Sequence, residues 1–100
     1  MNNNEYTKLP NDLLEALARI RISGEAVQVL LFIIRKTLGW NKREDAISYS
    51  QFVLGTGLLK PNIRRALIKL QQMNIVFIIN TDNGRTNKYR INKDYETWKP

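Results

Sequence analysis

Ser48-Tyr49-Ser50-Gln51-Phe52-Val53-Leu54-Gly55-Thr56-Gly57-Leu58-Leu59-Lys60-Pro61-Asn62-Ile63-Arg64-Arg65-Ala66-Leu67-Ile68-Lys69-Leu70-Gln71-Gln72-Met73-Asn74 is the stretch that decides the fold. Ser48 and Gln51 stand at the spacing of a capping box, in which each side chain satisfies a free amide at the other's end, so a short helix starts after Ser48. It carries Phe52 and Val53 inward and closes at Thr56-Gly57, where glycine takes up the left-handed conformation. Only Leu58, Leu59 and Lys60 precede Pro61, which suits the first position of a new helix running to about Asn74. Two helices across so tight a turn predict a helix-turn-helix, whose second member normally lies in the DNA major groove. At 100° per residue, Ile63, Ala66, Leu67, Leu70 and Met73 share one face, Asn62, Arg65, Lys69 and Gln72 lie opposite, and Arg64 and Ile68 fall to the side.

Downstream, Ile75-Val76-Phe77-Ile78-Ile79 favours a strand throughout, Asp82-Asn83-Gly84 marks a turn, and residues 87–92 alternate as Asn87-Lys88-Tyr89-Arg90-Ile91-Asn92. A hairpin with its tip between Asp82 and Asn87 follows, with Tyr89 and Ile91 toward the core and Lys88 and Arg90 outward. The run 75–79 is apolar on both faces, so its second face needs a cover, either the tail aromatics Tyr95 and Trp98 or a second subunit. Upstream, Leu9-Pro10-Asn11-Asp12 predicts a helix from about Pro10 to Arg19, with Asn11 or Asp12 as cap and Leu13, Leu14, Leu17 and Ile20 at helical spacing. Ser23 caps a second helix ending near Gly39; its apolar run Val29 to Ile34 reads as a buried core segment, far short of the roughly 20 residues of a membrane span. Residues 40–45 read as a loop and Ala46-Ile47-Ser48 as a short extended piece. The expected class is mainly α with a small antiparallel β-sheet (α+β), a winged helix-turn-helix. It forms one domain over residues 1–100, with a polar arm over 1–8 and a tail over 93–100.

The 100 residues are 43% hydrophobic and 25% charged, ordinary for a globular chain. Cysteine and histidine are absent, which removes disulfides, thiolate nucleophiles, zinc sites with those ligands and imidazole acid/base catalysis. Ser23, Ser48 and Ser50 have no histidine to activate them. The expectation is a binding protein with no catalytic residue, cofactor or metal. The polar start Met1-Asn2-Asn3-Asn4-Glu5 lacks the basic and apolar regions of a secretion signal, and a cytoplasmic location with no membrane contact is expected.

The formal net charge is +7, from 16 Lys and Arg against 9 Asp and Glu, and it is unevenly placed. Residues 1–55 carry +1, residues 56–93 carry +7 with Asp82 the single acid, and residues 94–100 carry −1. Such a basic segment suits a face that meets nucleic acid. Four cations and no acid between Lys60 and Met73 set that helix apart from a solvated face, which mixes signs. Asn62 suits adenine and Arg65 guanine, Lys69 and Gln72 fall to phosphate or solvent, and Lys60 and Arg64 complete the DNA-binding set on this helix. At the hairpin, Arg85, Lys88 and Arg90 suit phosphates or the minor groove. Lys42 and Arg43 are cancelled locally by Glu44 and Asp45, and Trp40 reads as an anchor on the core.

The sequence also resembles the N-terminal DNA-binding domain of lambda-type bacteriophage replication protein O over about residues 6–98. The resemblance rests on Leu9-Pro10-Asn11-Asp12-Leu13-Leu14, on Arg35-Lys36-Thr37-Leu38-Gly39-Trp40-Asn41-Lys42, on Asp45-Ala46-Ile47-Ser48, on Thr56-Gly57, and on Asn92-Lys93-Asp94-Tyr95 with Trp98. It implies a DNA replication initiator that binds repeated origin sites on double-stranded DNA as a homodimer. It also implies recruitment of the host replication helicase machinery through a C-terminal region beyond this chain, so that Trp98-Lys99-Pro100 would close an excised domain or leave that task to another chain. A winged-helix transcription regulator would show the same charge pattern, and a protein-docking winged helix without DNA binding the same fold.

Overall fold

The computed structural model describes residues 5–81 and 86–100. Helix α1 (Asn11–Arg19) and helix α2 (Gly24–Thr37) come first, α2 continuing into a 3-10 turn (Leu38–Trp40); strand β1 (Asp45–Ile47), helix α3 (Tyr49–Thr56) and helix α4 (Lys60–Gln72) follow. Strands β2 (Val76–Ile79) and β3 (Asn87–Ile91) and a 3-10 turn (Tyr95–Thr97) complete the order. The three strands form one antiparallel sheet in the order β1-β3-β2. Four helices with a small antiparallel sheet is the α+β class that the residue patterns predict.

Local chemistry explains most element ends. Ser48 accepts from the Gln51 amide at 3.2 Å and Gln51 Oε1 accepts from the Ser48 amide at 2.8 Å, closing the capping box. Gly57 ends α3 at φ 75°, its amide donating to the Val53 carbonyl at 2.9 Å. Thr56 Oγ1 tightens the same corner by donating to the Phe52 carbonyl and accepting from the Leu58 amide. Ser23 accepts from the Ala26 amide at the start of α2. At α1 the expectation needs correction: Pro10 is the cap residue, no side chain of Asn11 or Asp12 fills that role, and Asp12 lies one position inside the first turn. Its charge there still favours the positive end of the helix dipole. Helix α4 stops two residues earlier than expected, because Asn74 adopts φ 61° and redirects the chain into β2. Asparagine is among the few residues that tolerate this conformation.

The core gathers around α2, which packs on α3, α4 and β3. Val29, Leu30, Ile33 and Ile34 of α2 meet Ile63, Ala66, Leu67 and Leu70 of α4, with Phe52, Tyr89 and Ile91 closing the cluster. Phe52 lies between Phe32 and Tyr89 at centroid distances of 5.4 and 5.2 Å, edge-on to Tyr89. The apolar run of α2 is not buried all round: Leu31 is 55% exposed. In the sheet, Val76 and Ile78 oppose Ile91 and Tyr89 on the inner face, whereas Phe77 and Ile79 oppose Arg90 and Lys88 on the outer face. The Arg90 guanidinium covers the Phe77 ring at 5.2 Å. The tail aromatics serve another place: Tyr95 and Trp98 pair edge to face and line a groove with Asp12 and Ala16 of α1 and Ile20 just after it. Trp98 Nε1 donates to the Asn92 carbonyl at 2.9 Å, and the Lys99 amide to the Met73 carbonyl at 2.7 Å, which fastens the tail.

Candidate nucleic-acid interface

Helix α4 shows its two faces as the 100° spacing predicts. Ile63, Ala66, Leu67, Leu70 and Met73 are all buried, and Lys60, Arg64, Arg65 and Lys69 are exposed with Asn62 half-buried between them. The helix contains no carboxylate. Arg65 Nη2 donates to Asn62 Oδ1 at 2.9 Å and to Glu25 Oε1 of α2 at 3.2 Å. The two side chains suited to base edges are therefore bonded to each other, and Glu25 is the one acid that ion-pairs with α4 among the described residues. Pairs this exposed contribute at most about 1 kcal/mol, so a ligand can compete for the guanidinium. Arg64 and Lys69 form no ion pair among the described residues.

A polar cleft of about 270 Å³ runs from the start of α4 to the base of the hairpin, lined by Ser48, Tyr49, Lys60, Thr86, Asn87 and Tyr89. Lys60 Nζ stands 5.2 Å over the Tyr49 ring, an aromatic contact that holds the cation at the cleft mouth. Burial pushes the Tyr89 phenol up to about 12, with Tyr49 adding to the rise and Asn87 opposing it. That phenol remains a hydrogen-bond donor at neutral pH. The cleft supplies hydroxyl, amide and ammonium groups together, the chemistry that positions a phosphate backbone. Tyr49, Thr86 and Asn87 carry no sequence signal for this, since only the fold sets them beside Lys60.

The hairpin cations divide. Arg85 falls outside the described residues. Lys88 is exposed and its Nζ is 3.6 Å from Glu44 Oε2, while Arg90 is half-buried over Phe77. Both belong to the outer sheet face. The structure thus brings Lys60, Asn62, Arg64, Arg65 and Lys69 together on one helix, and places Lys88 and Arg90 on a separate surface. Trp40 anchors by a different contact from the one expected: it is 40% exposed, and Arg35 lies over its ring at 5.2 Å. No helix is long and apolar enough to cross a membrane among the described residues.

Comparison with known proteins gives this surface a setting. Replication protein 15 of Enterobacteria phage phi80 is 30% identical over 95 residues, covering 95% of this chain and 31% of that protein. Replication protein O of Escherichia phage lambda is 41% identical over 71 residues, covering 71% of this chain and 21% of that protein. DNA replication protein gp18 of Salmonella phage P22 is 31% identical over 94 residues, covering 94% and 32%. The chain therefore spans about a fifth to a third of the length of these curated relatives. No solved structure matches it significantly. The family model described as bacteriophage replication protein O matches residues 2–98. With that match over almost the whole chain, and with relatives named for phage DNA replication, the chain belongs to the bacteriophage replication protein O family.

Proposed function

We propose that this chain is one winged-helix domain that binds double-stranded DNA site-specifically within a phage-type replication initiator. The observation that carries the reading is the outward face of α4, where Lys60, Arg64, Arg65 and Lys69 surround Asn62 without a carboxylate on the helix. On this reading α3 and α4 are the helix-turn-helix, with α4 entering the major groove. Asn62 and Arg65 read base edges near its start, and Lys69, later in the helix, meets the backbone. The hairpin is the wing, and Arg85, Lys88 and Arg90 supply sequence-independent contacts. The cleft between α4 and the hairpin base seats a phosphate against Lys60 and Tyr49. The domain acts by binding and not by catalysis. In a longer initiator, in the host cytoplasm, it would hold origin repeats as a homodimer while another region recruits the helicase machinery.

The test is binding to the phage origin and to scrambled duplex by fluorescence anisotropy, with footprinting to locate the protected sites. Asn62→Ala and Arg65→Ala should each lose roughly 1 to 3 kcal/mol on the specific site and less on scrambled DNA. Arg85→Ala, Lys88→Ala and Arg90→Ala should weaken both duplexes about equally. Loss of discrimination in the hairpin variants alone would reassign base reading to the hairpin. Protection at a promoter instead of origin repeats would make the domain a transcription regulator.

A further inference from the structure

The outer sheet face and the loop after the 3-10 turn enclose a groove of about 670 Å³ that shares only Arg90 with the proposed duplex interface. Lys42, Arg43, Arg90 and Lys93 line it together with Asn41 and Phe77, and no carboxylate among the described residues does. Sequence order suggests that Glu44 and Asp45 cancel Lys42 and Arg43, but the fold distributes these charges differently. Asp45 takes Lys42 at 3.2 Å, Glu44 turns to Lys88 at 3.6 Å, and Arg43 and Lys93 form no ion pair among the described residues. The groove thus keeps a net positive charge. Its sheet side pairs an aromatic ring with a cation, the half-buried Phe77 under the Arg90 guanidinium at 5.2 Å from the ring centroid.

We propose that this groove is a second binding site, distinct from α4, for single-stranded nucleic acid. Cations that follow a backbone, beside an aromatic surface on which a base can lie, are the two components of single-strand recognition. Charge complementarity selects a polyanion, and the aromatic pair selects among polyanions. Bases in a duplex are already stacked on their neighbours and gain nothing from Phe77, whereas an unpaired base does. An acidic peptide would engage Arg43 and Lys93 and leave Phe77 idle. A base laid on the stack of Phe77 and its covering Arg90 guanidinium, with its phosphates between Arg43 and Lys93, uses every feature of the groove.

The experiment uses the 100-residue chain, with a labelled twelve-nucleotide oligothymidylate and a labelled duplex as separate anisotropy probes at about 50 mM salt. The wild type should bind both. The double variant Arg43→Glu, Lys93→Glu should weaken the single strand about tenfold or more and the duplex far less, because the lost contacts are local. Phe77→Leu keeps an apolar residue on the strand and removes the flat ring; it should weaken the single strand about fivefold or more and leave its salt slope unchanged. Thermal melting of each variant reads the fold separately. Arg65→Ala, Lys69→Ala should do the converse, sparing the single strand. No single-strand binding by the wild type overturns the proposal, as does single-strand binding lost only in the α4 variant. Competition by a twelve-residue polyglutamate as effective as unlabelled oligothymidylate, with Phe77→Leu unaffected, also overturns it in favour of a peptide groove. Failure of the duplex probe with the single strand still bound counts against the duplex reading of α4 and leaves this proposal standing.

Discussion

Arg65 is held between two partners on the protein, Glu25 at 3.2 Å and Asn62 at 2.9 Å. A bidentate contact to a base edge through Nη2 competes with Glu25, and the acid itself repels phosphate. Glu25→Gln should therefore tighten duplex binding about two- to fivefold, the range an exposed ion pair represents. Titration of that variant and the wild type against the same duplex checks this, and unchanged affinity would mean that Arg65 stays on Glu25 in the complex. Tyr89 provides a pH test. Burial holds its phenol protonated up to about 12, against 10.0 for an unburied tyrosine. The unfolded chain thus releases this proton first, so the stability contribution is complete below about pH 10 and lost as pH rises toward 12. Tyr95 shifts the same way, through burial and then Asp12. In Tyr89→Phe, the fall of the urea midpoint between pH 9.5 and 11.5 should be shallower than in the wild type. Parallel curves would place the alkaline weakness elsewhere.

Two glycines of the α3 corner separate steric from torsional demands at the level of the element. A Cβ on Gly55 would lie 2.1 Å from the Phe32 ring, which is itself packed on Phe52. Alanine would gain about 1 kcal/mol in helix propensity, but moving the ring disturbs the aromatic row, and overpacking of this kind costs typically 1 to 3 kcal/mol. Gly55→Ala should be net destabilising, and Phe32→Leu should relieve the clash. Gly57 has open space around the Cβ position but φ 75°. Gly57→Ala should lose about 1 to 2 kcal/mol from backbone strain alone, with Gly57→Asn losing less. Urea denaturation of the four variants decides between these causes; rescue of Gly57→Ala by Phe32→Leu would contradict the assignment.

For the whole molecule, the net charge of +7 coincides with the charge of residues 56–93. This segment contains both the α4 cations and those of β3, which the fold sends to separate surfaces. If α4, the cleft and the hairpin together neutralise about five to seven phosphates, duplex affinity should fall with a log-log salt slope of about −4 to −6. A slope near zero would remove the electrostatic basis of the proposed function. A slope of about half this size would mean that only the α4 cations reach the duplex and that the β3 cations serve the other groove.

Where partners lie within a few residues, the sequence alone determined the outcome. The Ser48 and Gln51 box, the left-handed Gly57, Pro61 in the first turn of α4 and the buried parity of Tyr89 and Ile91 are all legible in order and spacing. Each is settled by backbone geometry over one turn or one strand, and the chain carries that information locally. The family resemblance was legible too, because it rests on contiguous blocks. Tertiary structure alone decided the partners of the charges. Arg65 meets Glu25 from 40 positions away, Lys60 meets Tyr49 across the corner, and Glu44 reaches Lys88 instead of its neighbour Arg43. The cover of Phe77 was also a tertiary outcome: the hairpin register puts Arg90 opposite the ring, while the tail aromatics are drawn to α1. Charge attraction acts through space, so the sign of a segment can be read from its residues, but the face it finally presents depends on which strands and helices the core brings together.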